Sequence, residues 1–192
     1  MIVRGVGLHP IPFLVTRKKY KDMACNQVLN GLARDCQPSM GGIVEALAIN
    51  KEYIEEITAT EGKVTAITLG EEKFKAFYFA RNTGSMTSTY TLDPATGVRY
   101  VTTDLVLQFN RMETAKRIEI TALAQNGLVL IVKDANGKYW FLGKDEPVMA
   151  TAGEGVTGTA RGDRNGYGIT LQDTSLEMPY EVDAELVAEL LA

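Results

Sequence analysis

The chain has 192 residues, 45% of them hydrophobic and 23% charged, which fits one globular domain with its own core and excludes wholesale disorder. Its formal charge of −4 is unevenly spread: residues 1–22 hold five basic residues and one acid, whereas residues 23–192 hold 15 basic and 23 acidic ones, so the body offers no broad basic surface to a phosphate backbone. No apolar run approaches the roughly eighteen residues of a membrane span, so no membrane anchor is expected; two cysteines and one histidine are too few for a four-ligand zinc site.

In the leader, residues 1–22, the apolar stretch Gly7 to Val15 is interrupted by His9, Pro10 and Pro12 and precedes the basic run Arg17 to Lys21. That is the reverse of a secretory signal. With Met23 just after it, the leader reads as a start assigned too early; a basic arm gripping a neighbour and an unstructured tail are the alternatives. Residues 23–192 read as a single β-rich domain. Cys25 and Cys36 are expected to be reduced, partly buried thiols, although their spacing also permits a disulfide.

Ile43 to Ile49 reads as the first strand, and Lys51 to Ile57 as either a helical turn or a strand. Val64 to Leu69 and Lys73 to Ala80 read as a hairpin around Gly70-Glu71-Glu72. The pairs Glu55/Glu56 and Glu71/Glu72 are expected at the surface, since neighbours on a strand point to opposite faces and cannot share a substrate.

Ser85 to Asn110 alternates with period two over two long arms joined by Asp93-Pro94-Ala95-Thr96-Gly97. Arms of that length reach about 26–36 Å, beyond the usual strand, so the hairpin is expected to outrun its own sheet. A projecting, threonine-rich hairpin presents unpaired edge groups. Thr87, Thr89, Tyr90 and Thr91 in the first arm, with Val101, Thr103 and Leu105 in the second, are the candidates for pairing with another subunit.

Residues 112–125 form the best helix, with Met112, Ala115, Ile118, Ala122 and Leu123 at helical spacing and Asn126-Gly127 ending it. Leu128 to Gly143 then gives two apolar arms around Asp134-Ala135-Asn136-Gly137, a buried hairpin about which the other elements should pack, with Trp140 read as core. Residues 144–165, rich in Gly, Thr and charge, should contain loops. Tyr167 to Gln172 and Met178 to Val182 read as strands, and Asp183 to Leu191 as a short C-terminal helix capped by Asp183, with Leu186, Val187, Leu190 and Leu191 on its apolar side.

Gly153-Glu154-Gly155-Val156-Thr157-Gly158 matches a dinucleotide fingerprint by letter but is followed by turn residues instead of a helix. Asp134 to Gly137 and Asp163 to Gly166 lack the further acids of a calcium loop, and Arg161-Gly162-Asp163 lies in a Gly-rich turn. The sole histidine is in the leader, which removes Ser-His-Asp and Cys-His sites from the body. The expectation is therefore a mainly β domain with no catalytic, cofactor or metal residues.

Met23-Ala24-Cys25, Asp35-Cys36 with Gly41-Gly42-Ile43, Asn136 to Gly143, Gly158 to Tyr167 and Pro179-Tyr180 together resemble tail-tube-type structural proteins of phages and prophages of gut Bacteroides relatives, over residues 23–182. The resemblance implies a β-sandwich or β-barrel subunit forming hexameric rings that stack into a conduit, with an acidic lumen past which DNA slides as cargo. It also implies a place in the virion tail after synthesis in the bacterial host cytoplasm, beside other tail or connector proteins. A head-tail connector or head-decoration protein, and a β-rich carbohydrate-binding module using Tyr139 and Trp140, are the alternatives.

Overall fold

A computed structural model describes residues 29–191 and divides the chain into a unit of residues 1–37 and one of residues 38–192. In the first unit, residues 29–37 are exposed and irregular, and Cys36 is exposed where partial burial was expected. The leader, Met23 and Cys25 lie outside the described residues.

The second unit is mainly β. Its elements are β1 (Ile43–Asn50), a 3-10 turn (Lys51–Tyr53), β2 (Ile54–Thr60), β3 (Lys63–Leu69), β4 (Lys75–Phe77), β5 (Ser85–Asp93), β6 (Val98–Asn110), α1 (Thr114–Gln125), β7 (Leu128–Asp134), β8 (Tyr139–Leu142), β9 (Met149–Val156), β10 (Gly166–Ser175), β11 (Tyr180–Val182) and α2 (Ala184–Leu191). A large sheet of seven strands runs β2-β3-β11-β8-β7-β1-β4, and a small sheet of four runs β5-β6-β10-β9. Neither closes into a barrel. The architecture is a sandwich with a helix on its far side.

The apolar run that opens β7 explains this layering. Leu128 through Val132 are all buried, and alternate residues serve different layers. Leu128, Leu130 and Val132 pack with Leu105, Leu107, Ile169 and Leu171 of the small sheet, whereas Val129 and Ile131 pack with Phe141, Val64 and Val187 and Leu190 of α2. Each such side chain stabilises the fold by about 1.5–3 kcal/mol relative to exposure. The β7–β8 turn is held by the Asp134 carboxylate, whose Oδ1 accepts from Asn136 N at 2.8 Å and Lys138 N at 2.9 Å. Gly137 supplies φ = 83° at the turn. Trp140 is half-buried, not core; its indole N–H donates to Asp134 Oδ2 at 3.1 Å, and the neighbouring Phe141 fills the interior instead.

Two expectations are corrected and one strand is added. Val64 to Leu69 does not pair with Lys73 to Ala80. β3 pairs antiparallel with β2 through Glu61-Gly62, where φ values of 52° and 80° make the tight turn, while β4 crosses to the edge of β1. The stretch Lys51 to Ile57 is thus both things, a 3-10 turn and then the start of β2. Residues 144–165 do contain loops, and also an unexpected strand: β9 is an edge strand paired with β10 across one bulge, because main-chain hydrogen bonds suffice where side chains are only small. Finally, α1 does not bury the expected face. Leu123 is buried and Ile120 partly so, but Met112, Ala115, Ile118 and Ala122 are exposed. The helix seats on a narrow stripe, which its weak amphipathicity allows.

Candidate assembly interface

In the small sheet, β6 and β10 form the middle and β5 and β9 the unpaired edges. All its neighbours are antiparallel. Register links Met86, Leu105, Leu171 and Ala150 into one row facing the core, and Ser88, Thr103 and Asp173 into the next. Ser88 and Thr103 share a hydroxyl–hydroxyl hydrogen bond of 2.8 Å, which satisfies the buried Thr103.

The β5–β6 hairpin does outrun its sheet. β10 stops at Ser175, opposite Val101, so Val98 to Tyr100 pair with Thr91 to Asp93 alone. Asp93 closes the tip, accepting from Ala95 N at 2.9 Å and the Thr96 hydroxyl at 2.7 Å. Those bonds, the Thr96 hydroxyl foremost, hold its carboxyl below the ordinary range. Tyr90, Leu92 and Val98 stay 46%, 62% and 45% exposed there.

The predicted pairing residues divide between the two arms. Thr87, Thr89, Tyr90 and Thr91 lie exposed on the edge strand β5. Val101, Thr103 and Leu105 do not belong to any edge: β6 is paired with β5 on one side and β10 on the other, and all three are buried. Period-two patterning identifies which residues share a face but not which strand is outermost. The second edge, β9, was missed because Gly and Ala in Met149–Val156 imitate loop composition.

The face of the small sheet turned away from the core carries Thr87, Thr102, Thr170, Gln108 and Gln172, with Asp93, Asp104 and Glu154 as its acids. No lysine or arginine stands on that face in any of its strands. Gln172 Nε2 donates to Asp104 Oδ1 at 2.8 Å, and Arg164 from the β9–β10 loop pairs with Glu154.

A polar clasp joins the two sheets at the tip end of the sandwich. Asp173, 2% exposed on β10, accepts from Gly143 N at 3.0 Å at the end of β8. Lys51 Nζ donates to the carbonyls of Gly143 at 2.5 Å and Lys144 at 3.1 Å. Burial pushes the Asp173 carboxyl up and the Lys51 ammonium down.

On the opposite side, an open groove runs between β4 and α1, lined by Lys75, Phe77, Phe109, Lys116, Glu119 and Ile120. The letter-matches resolve into turns and strands: Asp163 Oδ2 accepts from Thr159 N and Ala160 N at 2.8 and 2.7 Å, and no helix follows Gly158. Glu55, Glu56, Glu71 and Glu72 are exposed. Among the described residues no three His, Cys, Asp or Glu side chains gather to hold a metal, and no helix is long and apolar enough to cross a membrane. No family model matches the chain, and neither a curated protein nor a solved structure matches it.

Proposed function

We propose that this chain is a virion structural protein, a self-assembling subunit of tail-tube type whose copies form stacked rings, hexameric by resemblance, around a conduit for phage DNA. The observation that carries the reading is the small sheet: two unpaired edges, an overhanging hairpin and an outward face whose strands contribute acids but no lysine or arginine, Arg164 reaching it from a loop to pair with Glu154. A free edge of such length is a pairing template.

Four antiparallel strands add a further constraint. Because the number is even, β5 of a second copy related by rotation about an axis along the strands runs antiparallel to β9 of the first. Head-to-tail addition then continues one antiparallel sheet from copy to copy, and a closing rotation gives a ring. The polar, acidic face lines the lumen, where like charge keeps DNA from sticking. Partners on this reading are further copies and other tail or connector proteins, and the site of action is the virion tail after synthesis in the host cytoplasm.

Sedimentation and negative-stain imaging of the full chain, across protein and salt concentration and with added tail-tip assemblies as template, test the proposal. Stacked rings or tubes are the expected result. Single rings that never stack point to a head-tail connector, and monomers under every condition, template included, overturn assembly.

A further inference from the structure

Tyr90 and Leu92 pose a specific problem. They lie on the same side of β5 as Met86 and Ser88, the side turned toward the core, but Tyr90 stands level with Ser175, the last residue of β10, and Leu92 lies beyond it, so they stay 46% and 62% exposed. The opposite edge of the same sheet has the converse shape. The inward row of β9 is Ala150, Gly153 and Gly155, and a Cβ built on Gly153 meets only Gly168 O, at 3.9 Å. Helix α1 packs beside this row, on the inward side of β9 and β10. Ala115, Glu119 and Ala122 turn toward the large sheet, so by helical spacing Arg117, Thr121 and Ala124 turn the other way, over the unpaired edge.

We infer that Tyr90 and Leu92 of one copy are the anchors that seat over the β9 edge of the next, beside α1. This deepens the assembly reading and rests on it. Register supplies the argument. In one sheet level, Met86 lines up with Ala150 and Thr87 with Met149, so without stagger only Ser85 to Thr87 of a second copy would reach β9. Full pairing needs β5 to slide, and only even steps keep inward residues inward. A slide of four residues sets Tyr90 opposite Ala150; a slide of six sets Leu92 there and Tyr90 opposite Gly153.

At about 3.3 Å per residue and 4.8 Å per strand, four to six residues of stagger across one subunit's strands tilt them by about 35–45°, the tilt at which sheets close into barrels. The stagger that buries the orphaned side chains is thus also one that lets the ring close. An aromatic ring laid across edge glycine is a favourable pairing, and the exposed Arg117 is placed for a cation–π contact with the same ring.

The test uses two full-length variants. Tyr90→Thr with Leu92→Thr removes the anchors while keeping strand propensity. Gly153→Val fills the seat, and the open space at that Cβ leaves the monomer fold intact. Each variant alone is expected to raise the concentration for half-assembly by about tenfold or more. Mixed, they should yield one-to-one heterodimers that grow no further, because each retains one sound half. Either variant assembling like the natural chain overturns the inference while leaving the assembly reading in place, as does a Gly153→Val variant that still dimerises by itself through β5 against β5. A natural chain that never assembles overturns both.

Discussion

The two sheets share one hydrophobic interface and differ in everything else. The interior strands of the large sheet are covered on both faces, by the small sheet on one side and by α2 on the other. The small sheet is covered on one face only and ends in two bare edges. The difference separates what folds the subunit from what is left over for contact. Side chains of β7 are committed to two cores at once, whereas the outward rows of β5, β6, β9 and β10 can change without cost to folding.

The comparison can be broken first at β7. Leu130→Ala removes a side chain packed between the sheets and should cost about 2–5 kcal/mol in urea unfolding, against less than about 0.5 kcal/mol for Thr170→Ala on the outward face. Equal losses would erase the distinction. Next comes the clasp between the sheets. Asp173→Ala strands the Gly143 N–H and should cost about 1–3 kcal/mol.

The two structural carboxylates also bend stability with pH in opposite directions. Asp173 is raised by burial, so the folded state holds its proton longer than the unfolded one, and stability falls as pH rises from about 4 through the raised value. Asp173→Asn should flatten that fall in unfolding curves taken across the range. In Asp134, burial pushes upward but is outweighed by hydrogen bonds from Lys138 N, the Trp140 indole and Asn136 N, so the carboxyl sits low. Its contribution is fully present above about pH 4 and is lost as pH falls through the lowered value. Asp134→Ala should cost about 1–2 kcal/mol at neutral pH and progressively less as pH falls from about 4 through the lowered value, which thermal melts across that range would reveal. The smallest effect belongs to the hairpin tip: replacing Leu92 to Arg99 with a short Asn-Gly turn should leave monomer unfolding within about 0.5 kcal/mol while altering assembly.

Much of this division is legible in the sequence. Unbroken apolarity in Leu128 to Val132 announces a strand covered twice, and the length of Ser85 to Asn110 announces overhang. The failures have one physical origin, since a main-chain edge leaves no side-chain signature. β9 forms from Met-Ala-Thr-Ala-Gly-Glu-Gly-Val because its hydrogen bonds to β10 ask nothing of side chains. Val101, Thr103 and Leu105 show their alternation plainly, yet only the position of β10 makes β6 interior. In the same way Glu61-Gly62 carries the β2–β3 turn through backbone angles that Gly70-Glu71-Glu72 does not adopt. Helix α1 misled because its apolar residues are more evenly spread than its seat requires.

Hydrogen exchange of the full chain, compared between dilute monomer and the highest attainable concentration, tests the central claim most directly. If the small sheet continues from copy to copy, amides of β5 and β9 gain protection together, while the large-sheet edges β2 and β4 exchange as before. Protection that appears at β2 or β4 and leaves β5 and β9 unchanged would contradict the account.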